Sequence, residues 1–312
     1  MIYIGNCLEI LSSLPEKSVH TCITSPPYWG LRDYGVDSQL GLEPTPQKYV
    51  ENLVSVFREV RRVLRDDGTV WLNLGDSYCG GGRAGKNPEL KSKHINFGKV
   101  QDMSTYTSPS KIPEGMKPKD LCGMPWRVAF GLQADGWYLR QDIIWAKPNP
   151  MPESVRDRCT KSHEYLFLLS KSSHYYYDHE AIKEPSVSQK SSGNKTHKYV
   201  GTGDSGHQYK EGLLKSSGVE WTTRNKRSVW TVSLKPYRGA HFATFPPDLI
   251  EPCVLAGSPV GGTVLDPFFG AGTTGLVSMR HGREYLGIEL NPEYAELAKQ
   301  RLSAVQTAIQ WS

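Results

Sequence analysis

The chain has 312 residues, 38% hydrophobic and 22% charged, with 8 Trp, 16 Tyr and 8 Phe. That is enough apolar and aromatic side chain for a sizeable core, and it excludes a globally disordered chain. No window approaches the ~20 consecutive apolar residues of a membrane span, and Met1-Ile2-Tyr3-Ile4-Gly5-Asn6 has no basic start or long apolar stretch, so a cytoplasmic, non-membrane protein without a signal peptide is expected. The net charge of +5 permits a nucleic-acid partner without requiring one.

In chain order, Ile2-Tyr3-Ile4 predicts a short strand, residues 7–13 a helix, and Thr21-Cys22-Ile23-Thr24 a strand ending at Ser25-Pro26-Pro27. Tyr49, Leu53, Phe57, Val60 and Leu64 recur at spacings of three and four, predicting an amphipathic helix over 46–65 that Gly68 terminates. A strand over 69–74 follows, then a helix over 123–134 with Gly136 just past it, and strands over 138–145 and 165–169. The last third reads as helix 247–256, strand 263–265, helix 272–281, strand 285–288 and helix 293–305. Strands separated by helices argue an α/β fold with a mostly parallel sheet covered on both faces.

Two stretches stand apart. Residues 80–119 open with Gly80-Gly81-Gly82 and are rich in Lys, Ser and Pro; residues 183–228 are rich in Ser, Gly, Thr, Lys and His. Both read as insertions, leaving 1–79, 120–182 and 229–312 as the body. Each insertion carries +5, so the rest of the chain carries −5. That asymmetry fits phosphate contact by the insertions; the alternative is solvated Lys-rich loops.

The cysteines at 7, 22, 79, 122, 159 and 253 include no C-x-x-C pair, which disfavours a zinc ribbon or a thioredoxin-like motif. Reduced, mostly buried thiols are expected.

Asp266-Pro267-Phe268-Phe269-Gly270-Ala271-Gly272-Thr273-Thr274 follows a strand and opens a helix. The glycines let the backbone turn tightly beside a ligand, and the helix N-terminus offers unpaired N–H groups to an anion. Glu289 closes the next strand 23 residues beyond Asp266, where an acid accepts ribose hydroxyls. Gly275 occupies the third-glycine spacing, so spacing alone leaves a dehydrogenase open.

Thr24-Ser25-Pro26-Pro27-Tyr28-Trp29 is a proline-stiffened turn at a strand's C-terminal end, where open α/β sheets place ligands. It presents a hydroxyl, a free carbonyl and two aromatic faces. Alone it reads as a structural turn. Together, Ser-Pro-Pro-Tyr upstream and Asp-Pro-Phe-x-Gly-x-Gly-Thr-Thr downstream resemble the DNA amino-methyltransferases, specifically their permuted β group, in which the catalytic motif precedes the S-adenosylmethionine motif. His241 to Pro246 resembles the segment that closes over the methionine part, and Ile4 to Glu9 the segment that reaches the adenine end, although members often have Asp where this chain has Asn6. Leu139–Lys147 and Glu164–Lys171 match later strands of the family.

The resemblance implies a Rossmann-like, circularly permuted fold with a seven-stranded, mostly parallel sheet, strand 2–4 lying beside strand 285–288. It implies S-adenosyl-L-methionine as cofactor, held by Asn6, Cys7, Phe245, Pro246, Asp266, Phe268, Gly270, Gly272, Thr273, Thr274, Glu289 and Asn291, and no metal. It implies a flipped-out base of double-stranded DNA, with Ser25 and the Pro26 carbonyl accepting from its amino group and Pro27 and Tyr28 completing the catalytic turn. A first residue Ser usually accompanies cytosine N4, and Asp adenine N6. Methylation of RNA or of protein glutamine and a non-catalytic DNA-binding protein are more remote. Pro252-Cys253 is similar to the nucleophile of cytosine-C5 enzymes but precedes the cofactor motif within an apolar helical run, which argues a core thiol. DNA contact is expected from Trp29, from Lys147, Asn149, Arg156 and Arg158 around a Pro-rich loop, and from Arg224, Lys226 and Arg227. A homodimer and a cognate restriction enzyme stay open.

Overall fold

The first strand, β1 (Ile2–Ile4), leads into α1 (Cys7–Ser13) and then β2 (Val19–Thr24). Helix α2 (Pro46–Val63) starts where Thr45 Oγ1 accepts the Lys48 N–H at 3.2 Å and Pro46 fixes the first turn. Tyr49, Leu53, Phe57 and Val60 of the predicted stripe are buried, together with Val56 and Val63. The helix ends without a loop: Leu64 is already extended and begins β3 (Leu64–Leu74), paired with Val19. Gly68 is therefore a bend inside this strand, not a helix stop, and a Cβ there would lie 2.9 Å from Leu64 Cδ2. Then follow α3 (Met124–Ala134), β4 (Tyr138–Ala146), β5 (His163–Ser170), the short β6 (Glu184–Pro185), β7 (Thr223–Arg224) and β8 (Val229–Thr231), α4 (Pro247–Gly257), β9 (Thr263–Asp266), α5 (Thr273–Arg280), β10 (Glu284–Glu289) and α6 (Pro292–Gln310).

This computed structural model describes residues 1–31, 35–36, 38–80, 112, 115–186, 222–235 and 245–310. Most of both basic insertions, and His241 to Thr244, lie outside them. The chain forms two units, Met1–Asp178 with Ser228–Ser312, and His179–Arg227. In the second, β6 and β7 pair antiparallel, Glu184 opposite Arg224. In the first, the excursion beginning at residue 80 leaves and returns at one place: Cys79 N–H donates to the Asp120 carbonyl and Lys119 N–H to the Cys79 carbonyl, both at 2.8 Å.

The main sheet has the order β1-β10-β9-β2-β3-β5-β4-β8. Only β5 runs against the others. This sheet thus has eight strands among the described residues, against the seven expected. The extra one, β8, is three residues long, too short for periodicity to mark. It pairs with β4, and its Trp230 is buried 6.4 Å from Trp71. As expected, β1 lies parallel to β10, Ile2 opposite Gly287 and Ile4 opposite Glu289.

Alternation along β3 separates the two faces. Val70, Leu72 and Leu74 join Leu11 of α1, Leu53 and Phe57 of α2 and Val128 of α3 in one buried cluster. Trp71 points the other way, toward α4, where a Cβ on Gly257 would come within 2.8 Å of Trp71 Nε1. Cys253 is buried within α4, and Cys22, Cys79 and Cys122 are also buried. Among the described residues no helix is long and apolar enough to cross a membrane.

Candidate active site

Strands β2 and β9 are parallel neighbours, Thr21 opposite Val264 and Cys22 opposite Leu265. Their C-terminal ends therefore emerge on one side of the sheet. From β2 the chain goes on to β3 on one flank, and from β9 to β10 on the other. Such divergence opens a crevice at the strand ends. A cleft of about 420 Å³ lies there, lined on one side by Ser25, Tyr28, Lys147 and Glu164 and on the other by Phe268, Gly270, Glu289 and Asn291. Its size suits a small ligand.

Asp266 ties the two halves. Thr24 Oγ1, just before the proline turn, and Thr274 Oγ1, in α5, each donate to its carboxylate at 2.6 Å, and Phe268 N–H donates at 3.1 Å. Burial outweighs these donors and pushes the carboxyl up to about 6. An acid with a folded pKa above its unfolded value takes up a proton on folding, so its contribution favours the fold at low pH and declines as pH rises from about 4 to about 6. Asp266→Asn removes that decline. From pH 4 to pH 7 the stability difference should move in favour of the variant by on the order of 2–3 kcal/mol. Denaturant midpoints of both proteins measure it, and a pH-independent difference would sink the assignment.

The glycine turn is shaped by Phe269. Gly270 and Gly272 adopt φ of +51° and +74°. The Phe269 ring stacks on Tyr285, centroids 5.7 Å apart, and leaves no room on its other sides: a Cβ at Gly287 would lie 2.4 Å from it and one at Gly275 2.7 Å. Gly275 is thus a packing glycine. Glu289 accepts the Gly270 N–H at 2.7 Å and the Asn291 N–H at 2.9 Å, and burial raises its carboxyl above the ordinary value. The Gly5 N–H donates to the Glu289 carbonyl at 2.9 Å, so α1 starts beside this acid. Asn6 caps α1 by accepting the Leu8 N–H, and the Cys7 thiol beside it is pushed up to about 11 by burial. Thr273 and Pro246 are buried, and Phe245 lines the cleft.

On the other wall, Tyr49 Oη donates to the Pro27 carbonyl at 2.8 Å and holds the proline turn. Tyr28 lies against Gly75, where a Cβ would come within 2.5 Å of the ring. Its hydroxyl donates to Glu164 Oε2 at 2.7 Å, with Asn73 Oδ1 at 3.2 Å and Ser25 Oγ at 3.4 Å. Burial and the Glu164 charge raise this hydroxyl well above its ordinary pKa.

The residues expected at DNA fall in several places. Trp29 is buried at 3% exposure, its indole N–H on the Glu43 carbonyl, because the turn directs it into the core. Lys147 lies in the cleft, ion-paired with Glu164 and 4.3 Å above the Trp145 ring, not on an open surface. Asn149 is bonded both ways to the Leu234 backbone. Arg158 pairs with Glu153 and lies 3.9 Å over Tyr78, whereas Arg156 is exposed. In the second unit, Arg224 and Arg227 share Glu184 and Lys226 is half-buried. The sequence reading missed Asn73, Glu164 and Tyr294 in the cleft. The available signal was an acid and an amide set in otherwise apolar strands. Among the described residues no three His, Cys, Asp or Glu cluster to hold a metal.

A proline turn and a glycine turn thus meet in one crevice at the strand ends. The family model for N6/N4 DNA methylases matches residues 19–300, and the chain belongs to that family. Type II methyltransferase M.Cfr9I of Citrobacter freundii is 48% identical over 308 residues, 99% of this chain and 89% of that one. Type II methyltransferase M.SmaI of Serratia marcescens is 50% identical over 301 residues, 96% and 90% of the two chains. Among solved structures, the PvuII DNA methyltransferase (cytosine-N4-specific) is similar in fold, with a TM-score of 0.65, 20% identity and coverage of 96% and 85%. TTHA0409 of Thermus thermophilus, solved with S-adenosyl-L-methionine, has a TM-score of 0.57, 24% identity and coverage of 97% and 93%.

The chain is a DNA methyltransferase dependent on S-adenosyl-L-methionine. The cleft fits that group. Nothing lies within 4 Å of a Cβ built on Gly270, so the turn leaves open space beside its backbone. An acid, Glu289, and an aromatic side chain, Phe268, line the same wall.

Proposed function

We propose that this chain methylates the exocyclic N4 of a cytosine flipped out of double-stranded DNA, as the modification enzyme of a restriction-modification pair in the permuted β group. One observation carries the reading: Ser25, first residue of the Ser-Pro-Pro-Tyr turn, opens into the same cleft as the glycine turn. The Type II names of relatives at 48% and 50% identity and the cytosine-N4 title of a fold neighbour support it.

S-adenosyl-L-methionine supplies an electrophilic methyl on a sulfonium. Glu289 holds the ribose hydroxyls, the Gly270 and Gly272 backbone lets the ligand approach, and Asn6, Cys7, Phe245, Phe268 and Asn291 enclose the remainder. A base amino nitrogen is a poor nucleophile because its lone pair is delocalised into the ring. Ser25 Oγ and the Pro26 carbonyl accept hydrogen bonds from its two N–H groups and free that lone pair toward the methyl, one N–H proton being released to solvent afterwards, while Tyr28 stacks on the base. A base inside a duplex cannot enter, so it must be flipped. Arg156 and the two basic insertions supply phosphate contacts.

Incubation with DNA and labelled cofactor, followed by digestion to nucleosides, should yield N4-methylcytosine. Only N6-methyladenine would overturn the base assignment, and no methylated nucleoside would overturn the reading.

A further inference from the structure

Glu164 and Lys147 form an ion pair in the cleft wall, their side chains only 16% and 14% exposed. Burying two charges is costly, and apolar residues of similar volume often stabilise a fold more. The proposed transfer uses neither side chain directly. What the pair does follows from the direction of its hydrogen bonds.

The Tyr165 carbonyl and the Glu164 carboxylate can only accept. Asn73 therefore turns Nδ2 toward both, at 3.1 and 3.2 Å. Its Oδ1 is left facing Tyr28 Oη at 3.2 Å. Tyr28 Oη thus meets two acceptors, Asn73 Oδ1 and Glu164 Oε2, and commits its one proton to them. Toward Ser25 Oγ it offers only a lone pair, so the serine proton turns inward to Tyr28. The free lone pairs of Ser25 are then left for the cleft. Lys147 compensates the carboxylate that starts the chain.

We infer that Glu164, backed by Lys147, is a positioning residue that acts through Tyr28 to hold Ser25 as a hydrogen-bond acceptor, the polarity an incoming amino group requires. The inference rests on the function proposed above. It also bears on substrate class: a base with a carbonyl oxygen in place of the amino group would set lone pair against lone pair.

Single-turnover methyl transfer tests it with Glu164→Gln, Tyr28→Phe and the double variant. Each single change should slow transfer roughly ten- to a hundredfold, the worth of one charge-assisted hydrogen bond. S-adenosyl-L-methionine affinity by calorimetry should stay near wild type in both; the melting temperature should stay near wild type in Tyr28→Phe and fall in Glu164→Gln, which leaves Lys147 buried without its counter-ion. Because both changes cut one chain, the double variant should be no more than about twofold slower than the slower single variant. A wild-type rate in Glu164→Gln or in Tyr28→Phe, or losses that multiply in the double variant, would overturn it. So would a loss that tracks cofactor affinity. If Glu164→Gln fails to fold, Tyr28→Phe carries the test, because it removes one oxygen and keeps the ring against Gly75. Were the wild type to make N6-methyladenine, the base assignment would fail while this comparison still decided the role of Glu164.

Discussion

Ser25→Ala should lower the single-turnover rate of methyl transfer by about a hundredfold to a thousandfold while leaving S-adenosyl-L-methionine affinity within about threefold. The hydroxyl sits at the end of β2, at the mouth of a turn stiffened by Pro26 and Pro27 and anchored by Tyr49 Oη. Removing one oxygen there disturbs little packing, because Ser25 is only half-buried and its bond to Tyr28 is long, at 3.4 Å. What disappears is an acceptor needed most when the amino nitrogen gives up its conjugation, which is an interaction gained in the transition state. The glycine turn is formed by other residues, so cofactor binding should survive. Equal losses in rate and in affinity would place Ser25 in the architecture of the cleft and not in the reaction.

Phe269→Ala should cost about 3–5 kcal/mol of stability, the range for truncating a buried aromatic side chain. The ring is 3% exposed and packs with Leu276, Ala298 and Leu302. Four neighbours are shaped around it: Gly272, Gly275 and Gly287 lack side chains where the ring lies, and Tyr285 stacks on its face. No side chain at those glycines can move in to fill the space, so the hole should persist. The Phe269 N–H also donates to the Ile288 carbonyl at 2.9 Å, fixing the glycine turn next to Glu289. Cofactor affinity should therefore fall together with the chemical-denaturation midpoint. A variant that loses less than about 1 kcal/mol would show that the pocket collapses around the smaller side chain.

Regular elements and the two turns were legible in the sequence because each depends on neighbours a few residues away. The stripe of α2 and the glycines at 270 and 272 are of this kind. What could not be read depends on sheet register. Lys147 stands before Pro148-Asn149-Pro150, which looks like an open loop. Its partner Glu164 is reached because β4 and β5 pair antiparallel with Trp145 opposite Glu164. Asn73 joins them from β3, a third strand, and Tyr28 from the turn after β2. Trp29 was misplaced for a related reason: in an irregular turn, no period says which of two adjacent aromatics faces inward. Strand β8 escaped because three residues carry no pattern.

The pairing of β1 with β10 has a consequence for the order of assembly. The Met1 ammonium donates to the Tyr285 carbonyl, 284 residues away along the chain. At roughly 5–20 residues per second of synthesis, the stretch between the two strands takes about a quarter of a minute to a minute to add, and β1 waits that long for its partner. For that interval an apolar strand edge is without its neighbour, and the wall that carries Glu289 does not exist. The wall that carries Glu289 is complete only once β1 and β10 have met.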